Sequence, residues 1–279
     1  MRFSHSLLSG LLLAAATPAF AQDTAPPPPV TVSGTVGVYS DYRLRGISQT
    51  DKHAAVQGSL TIAHESGFYI GTFASNLSGW GTFGGANMEL DAIGGYKHTF
   101  GSATIDTGVT WYTYPGGYSE SDVVEFFGRL SGTAGPATLT AGVYYAPTQT
   151  SLGRIYDSAA DYAAGIQRDP KRWDNLYITG DATAGIPNTP VTLRAHIGAS
   201  KGNPGLGPNG TSLAPTGNYV DWNLGADWAV YKNLTLSVSY VDTDIGDRES
   251  AYLKPNLAKT TDGSSITDPT VVFSLSAAF

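Results

Sequence analysis

From residue 31 to residue 279, apolar side chains return at every second position in one short stretch after another. That period of two implies β-strands, because only a β-strand sends successive side chains to opposite faces. Val32, Gly34, Val36 and Val38 open the series, with Tyr42 and Leu44 continuing their parity. The pattern returns at Val56, Leu60, Ile62; Phe68, Ile70; Met88, Leu90, Ala92; Ile105, Val109, Trp111; Val124, Phe126; and Leu139, Val143, Tyr145. Leu176, Ile178; Leu193, Ile197; Trp222, Leu224, Trp228; Leu236, Val238, Tyr240; and Val271, Phe273, Leu275, Phe279 complete about twelve strands.

The connections carry a second pattern. They run long and short by turns: 46–53 then 65–67, 77–86 then 99–102, 115–121 then 133–135, 147–172 then 186–190, 201–217 then 231–233, and a final long one at 243–268. Antiparallel strands joined in order put every long loop at one end and every tight turn at the other. This is the layout of a transmembrane barrel with short periplasmic turns and long external loops.

Charge then assigns the faces. None of the residues on the apolar parities is charged, whereas the opposite parities carry Asp41, Arg43, Arg45, Glu89, Asp91, Glu125, Arg129, Asp181, Arg194 and Asp227. A soluble barrel would alternate too, with its charges turned outward. Aromatic residues near strand ends on the apolar parity (Tyr42, Phe68, Tyr96, Trp111, Tyr145, Trp222, Trp228, Tyr240, Phe279) favour a membrane, where they form interfacial girdles. So does composition: 14% of residues are charged, against about 25% in soluble domains. After residue 20 no run approaches the ~18 apolar residues of a membrane helix. The reading is therefore an all-β, up-and-down antiparallel outer-membrane barrel over 31–279, its ten charged inner residues lining a pore.

The N-terminus supplies an export route. Arg2, an apolar run at 7–16 and Ala19-Phe20-Ala21 predict a cleaved signal peptide over 1–21. Residues 22–30 contain Pro26 to Pro29 in a row, and read as an extended periplasmic spacer. Sixteen Lys and Arg, less Arg2, against 23 Asp and Glu leave the mature chain at −8, which argues against a nucleic-acid partner. With no Cys, a disulfide scaffold is excluded as well.

Two segments resemble known proteins. The end of the chain, Val271, Phe273, Leu275 and Phe279, is similar to the terminal strand by which bacterial outer-membrane barrels engage their assembly machinery, with Ala277 in place of the usual bulky residue. Residues Val36-Gly37-Val38-Tyr39-Ser40-Asp41-Tyr42-Arg43-Leu44-Arg45-Gly46-Ile47-Ser48-Gln49-Thr50-Asp51, Ala55-Val56-Gln57-Gly58, His64-Glu65-Ser66-Gly67-Phe68-Tyr69-Ile70-Gly71 and Ala74-Ser75-Asn76 resemble the opening of the TorF-family porins. Leu44, where that family more often has Phe, and Ser59 are departures. The resemblance implies an outer-membrane β-barrel in contact with lipid.

Other motifs lead elsewhere. Gly205-Leu206-Gly207-Pro208-Asn209-Gly210 matches a dinucleotide fingerprint but has no helix to follow it. The acidic run 242–249 offers oxygen ligands for calcium, or is simply a solvated external loop. A barrel enzyme needs a nucleophile–base pair or an Asp/His pair at the rim. Here His98 lies beside a short turn and His196 faces the expected lumen; His53 is the one rim candidate, and no G-x-S-x-G occurs. The expected function is passive diffusion of small hydrophilic solutes, without a catalytic residue, metal or cofactor. The alternatives are an adhesin or receptor acting through its long loops, or a structural barrel with a closed lumen. Inward charges including Lys97, Asp106 and Asp221 sum to eight acids and five bases, which predicts a mild cation preference.

Overall fold

A computed structural model describes residues 28–82, 84–118, 120–154, 159–166, 171–203, 217–246 and 257–279. The signal peptide, most of the proline-rich segment and the 205–210 motif lie outside the described residues. The barrel strands are β1 (Val30–Tyr39), β4 (Ala55–His64), β5 (Phe68–Asn76), β6 (Met88–Phe100), β7 (Ala103–Thr113), β8 (Val123–Ala134), β9 (Ala137–Arg154), β10 (Lys171–Gly185), β11 (Val191–Lys201), β12 (Tyr219–Tyr231), β13 (Leu234–Thr243) and β14 (Thr270–Ala278). Each pairs antiparallel with its neighbour in sequence. β1 pairs with both β4 and β14, which closes the twelve strands into a barrel. A closed barrel leaves no strand edge unpaired.

The alternation sets the faces. In β6, Met88, Leu90 and Ala92 point out while Glu89, Asp91 and Ile93 are buried inside. Phe68, Ile70, Val56, Leu139 and Leu224 are each 59–65% exposed on the outer face. A continuous apolar band of this kind is unfavourable in water and favourable in lipid. Near the short-turn end, Phe68 packs on Tyr96 at 4.9 Å, and Tyr96, His98 and Phe100 stack in a row, so His98 belongs to an aromatic girdle. At the long-loop end, Tyr145 and Tyr240 donate to Asp174 and Asp242.

Inside, aromatics lie flat over glycines of the neighbouring strand. Tyr69 covers Gly95, and Tyr177 covers Gly198, where a Cβ would overlap the tyrosine hydroxyl. Ile93, Phe127, Tyr144 and Tyr177 form one interior cluster at this level.

Long and short connections alternate as the spacing predicts, but the first long one behaves differently from the expectation. The wall strand ends at Tyr39, and residues 41–51 are all buried. The chain turns into the barrel as a small hairpin, β2 (Arg43–Leu44) and β3 (Ile47–Ser48). Tyr42 and Leu44, assigned above to the outer apolar face, are therefore interior residues at 2% and 3% exposure. Their alternation is that of an inserted hairpin, not of the wall strand it follows. The fourth long connection is also shorter than 147–172, because β9 runs on to Arg154 and β10 starts at Lys171.

Candidate functional site

The site is the barrel interior at the level of the inserted hairpin. Arg45 and Gly46 both have positive φ, at 49° and 81°, the backbone a tight two-residue hairpin turn requires. Gly46 fits against β13 because a Cβ there would overlap the Thr243 side chain. Asp41 ties the hairpin together: its carboxylate accepts from Arg43 Nε at 2.6 Å, Ser48 Oγ at 2.5 Å and Thr50 Oγ1 at 3.1 Å. Arg43 also donates to the carbonyls of Gly46 and Asp268.

From the hairpin tip, Arg45 crosses the lumen. Its Nη2 reaches both carboxylate oxygens of Glu125 on β8 at 2.8 Å, and its guanidinium lies 4.0 Å from the Tyr177 ring centre on β10. Both members of this ion pair are sealed from solvent, at 4% and 1% side-chain exposure. In such surroundings a paired charge-assisted contact holds strongly, because losing either partner strands the other.

On the β6–β8 side the hairpin packs directly onto the wall. Tyr42 donates to Glu89 Oε1 at 2.7 Å, Tyr112 donates to Glu125 Oε2 at 3.1 Å, and Tyr42 and Leu44 join Leu77, Tyr112, Tyr114 and Val123 in an apolar cluster. Glu89, Asp91 and Glu125 are 0%, 3% and 1% exposed. Lower on the same wall, Asp106 accepts from Arg129 Nη2 at 2.6 Å and Tyr69 at 2.7 Å, with Lys97 Nζ at 3.8 Å.

The β10–β14 side is open. A cavity of about 130 Å³ lies between it and the hairpin, bordered by Asp41, Arg43 and Arg45 above and by Asp181, Arg194, His196 and Asp221 on the wall. His196 bridges two strands: Nδ1 meets Asp181 Oδ1 at 2.6 Å, and Nε2 meets Asp221 Oδ1 at 3.2 Å and the Tyr177 hydroxyl at 2.9 Å. Arg194 lies 2.7 Å from Asp227 and donates to Ser239 at 3.1 Å.

The ten sequence-derived residues therefore fall into groups. Asp41, Arg43, Arg45, Asp181 and Arg194 border the cavity, and Asp227 pairs with Arg194 next to it. Arg129 braces the other wall, and Glu89, Asp91 and Glu125 lie sealed beneath the hairpin. His196 faces the lumen as expected, but its role as a bridge did not follow from parity alone. The signal was present in the register, since Asp181 and His196 are direct cross-strand partners.

Other loops close over the hairpin. Ser78 N donates to Gln49 O, Ser48 N to Ile266 O, and Thr260 N and Oγ1 to Asp51. Ile47, Tyr219, Ile245, Leu257 and Ile266 form a buried cap above it. In the acidic run, Asp242 accepts from Tyr240 and Thr243 and Asp244 from Val220, while 247–249 lie outside the described residues. Among the described residues no group of side chains is arranged to hold a metal.

The profile of the family described as "Bacterial protein of unknown function (Gcw_chp)" matches residues 23–279. The chain belongs to this family. No curated relative matches it. Among solved structures it is similar to the KdgM porin, with TM-score 0.51 at 8% identity over 88% of this chain and 98% of that one. A second structure, described as "KdgM porin in complex with disordered oligogalacturonate", gives TM-score 0.50 at 8% identity over 89% and 97%. At such identity the likeness concerns the fold: a closed, porin-type barrel.

Proposed function

We propose that this member of the Gcw_chp family is an outer-membrane channel for passive diffusion of small hydrophilic solutes, exported by the 1–21 signal peptide and assembled through its Phe279 strand. The observation that carries the reading is a closed barrel, apolar outside, whose interior keeps a cavity bordered by charges of both signs. The opening motif's likeness to TorF-family porins supports the same reading.

One observation favours a second reading, a structural barrel with a closed lumen: the hairpin and the cap fill the loop end of the interior. The same inward packing of 257–268 counts against an adhesin, whose loops must project. Planar-bilayer recording of refolded protein separates these. Discrete current steps are expected from protein that migrates as a folded barrel in unheated detergent gels. Silence from such protein would overturn the channel reading in favour of the closed barrel.

A further inference from the structure

We infer that solutes cross this barrel along the β10–β14 wall alone, and that the Asp181–His196–Asp221 bridge keeps that path near charge balance, selecting neutral and zwitterionic solutes over simple ions of either sign. The inference rests on the channel reading and names its selectivity element.

The route follows from what fills the lumen. Over β6–β8 the hairpin side chains Tyr42 and Leu44 pack into the wall, and the acids beneath them do not border the cavity. A fixed charge concentrates counter-ions only where a hydrated ion can approach it. Glu89 and Asp91 therefore contribute to a parity count but not to the path. On the other wall His196 and Arg194 keep 23% and 14% of their side chains exposed, and they border the cavity.

The balance follows from the pairings. Asp41 meets Arg43 at 2.6 Å, Arg194 meets Asp227 at 2.7 Å, and His196 stands between Asp181 and Asp221. Both imidazole nitrogens face carboxylate oxygens, an arrangement satisfied when both carry protons. The ring is then the cation between two acids. Closely paired charges present strong local dipoles with little net field. They can solvate both ends of a zwitterion at once, while a lone ion meets only the single net negative charge that two acids around one cation leave. The bridge comes from three adjacent strands, β10, β11 and β12, so it is fixed by the wall and not by a loop.

Cation-to-anion permeability ratios, read from reversal potentials in a salt gradient, test this on full-length refolded protein. The wild type is expected within about twofold of unity, and His196→Gln, which leaves Asp181 and Asp221 without their cation, about threefold or more toward cations at low salt. His196→Lys keeps a cation at the position and is expected to hold the wild-type ratio. Glu89→Gln/Asp91→Asn is expected to leave it unchanged. Should His196→Gln fail to fold, Asp181→Asn/Asp221→Asn supplies the converse test, a shift toward anions. A ratio that follows Glu89 and Asp91, or that ignores the bridge, would overturn the inference while leaving a channel. No current from folded wild type would instead overturn the channel reading, and this inference with it.

Discussion

The two sides of the lumen carry comparable numbers of acids and use them differently. Over β6–β8 the acids act as anchors: Glu89 holds Tyr42 and Glu125 holds Arg45, and neither they nor Asp91 border the cavity. Over β10–β12 the acids are held in pairs around His196 and Arg194 at the edge of a cavity. Inward parity alone therefore does not make a residue pore-lining. Whether a charge faces solutes or scaffolding depends on what fills the space in front of it, and here one hairpin fills one half.

The largest effect is expected from removing the crossbar between the two sides. Arg45→Ala leaves Glu125 buried without its cation and is expected to cost roughly 3–5 kcal/mol of barrel stability in denaturant titration. The same change should free the hairpin and enlarge the single-channel conductance. A conductance identical to wild type would mean that the hairpin does not obstruct the lumen.

The apolar exterior gives the next effect. Leu224→Arg on the outer face is expected to destabilise the membrane-inserted barrel by about 2–4 kcal/mol near mid-bilayer. The same replacement at inward Ser237 should cost less, and equal costs would contradict the face assignment. On the sealed side, Tyr42→Phe removes the hydroxyl that donates to Glu89 and is expected to cost about 1–3 kcal/mol. On the exposed rim of that wall, Lys97→Gln should cost under about 1 kcal/mol, because the pair to Asp106 is long and the lysine keeps 29% of its side chain exposed.

Much of this architecture was legible beforehand, for a physical reason. A barrel wall needs opposite faces at every residue, so alternation marks both strand and orientation, and even the Lys97–Asp106–Arg129 row follows from register once the strands are aligned. The inserted hairpin was not legible in the same way. Tyr42 and Leu44 extend the alternation of Val36 and Val38, and only the Arg45-Gly46 turn, with Gly at the second left-handed position, hinted at a fold-back. Where a loop goes depends on partners far along the chain, here Ile266, Asp268 and Thr243, which no local pattern reports.

Because the chain contains no Cys, the division of the lumen can be probed with single cysteines. Single cysteines at Asn223, on the cavity border, and at Thr110, inward on β7 but buried, can be exposed to a charged, membrane-impermeant thiol reagent during bilayer recording. Asn223→Cys is expected to react, with a fall in current, while Thr110→Cys stays unmodified at the wild-type current. Equal reaction at the two positions would contradict it.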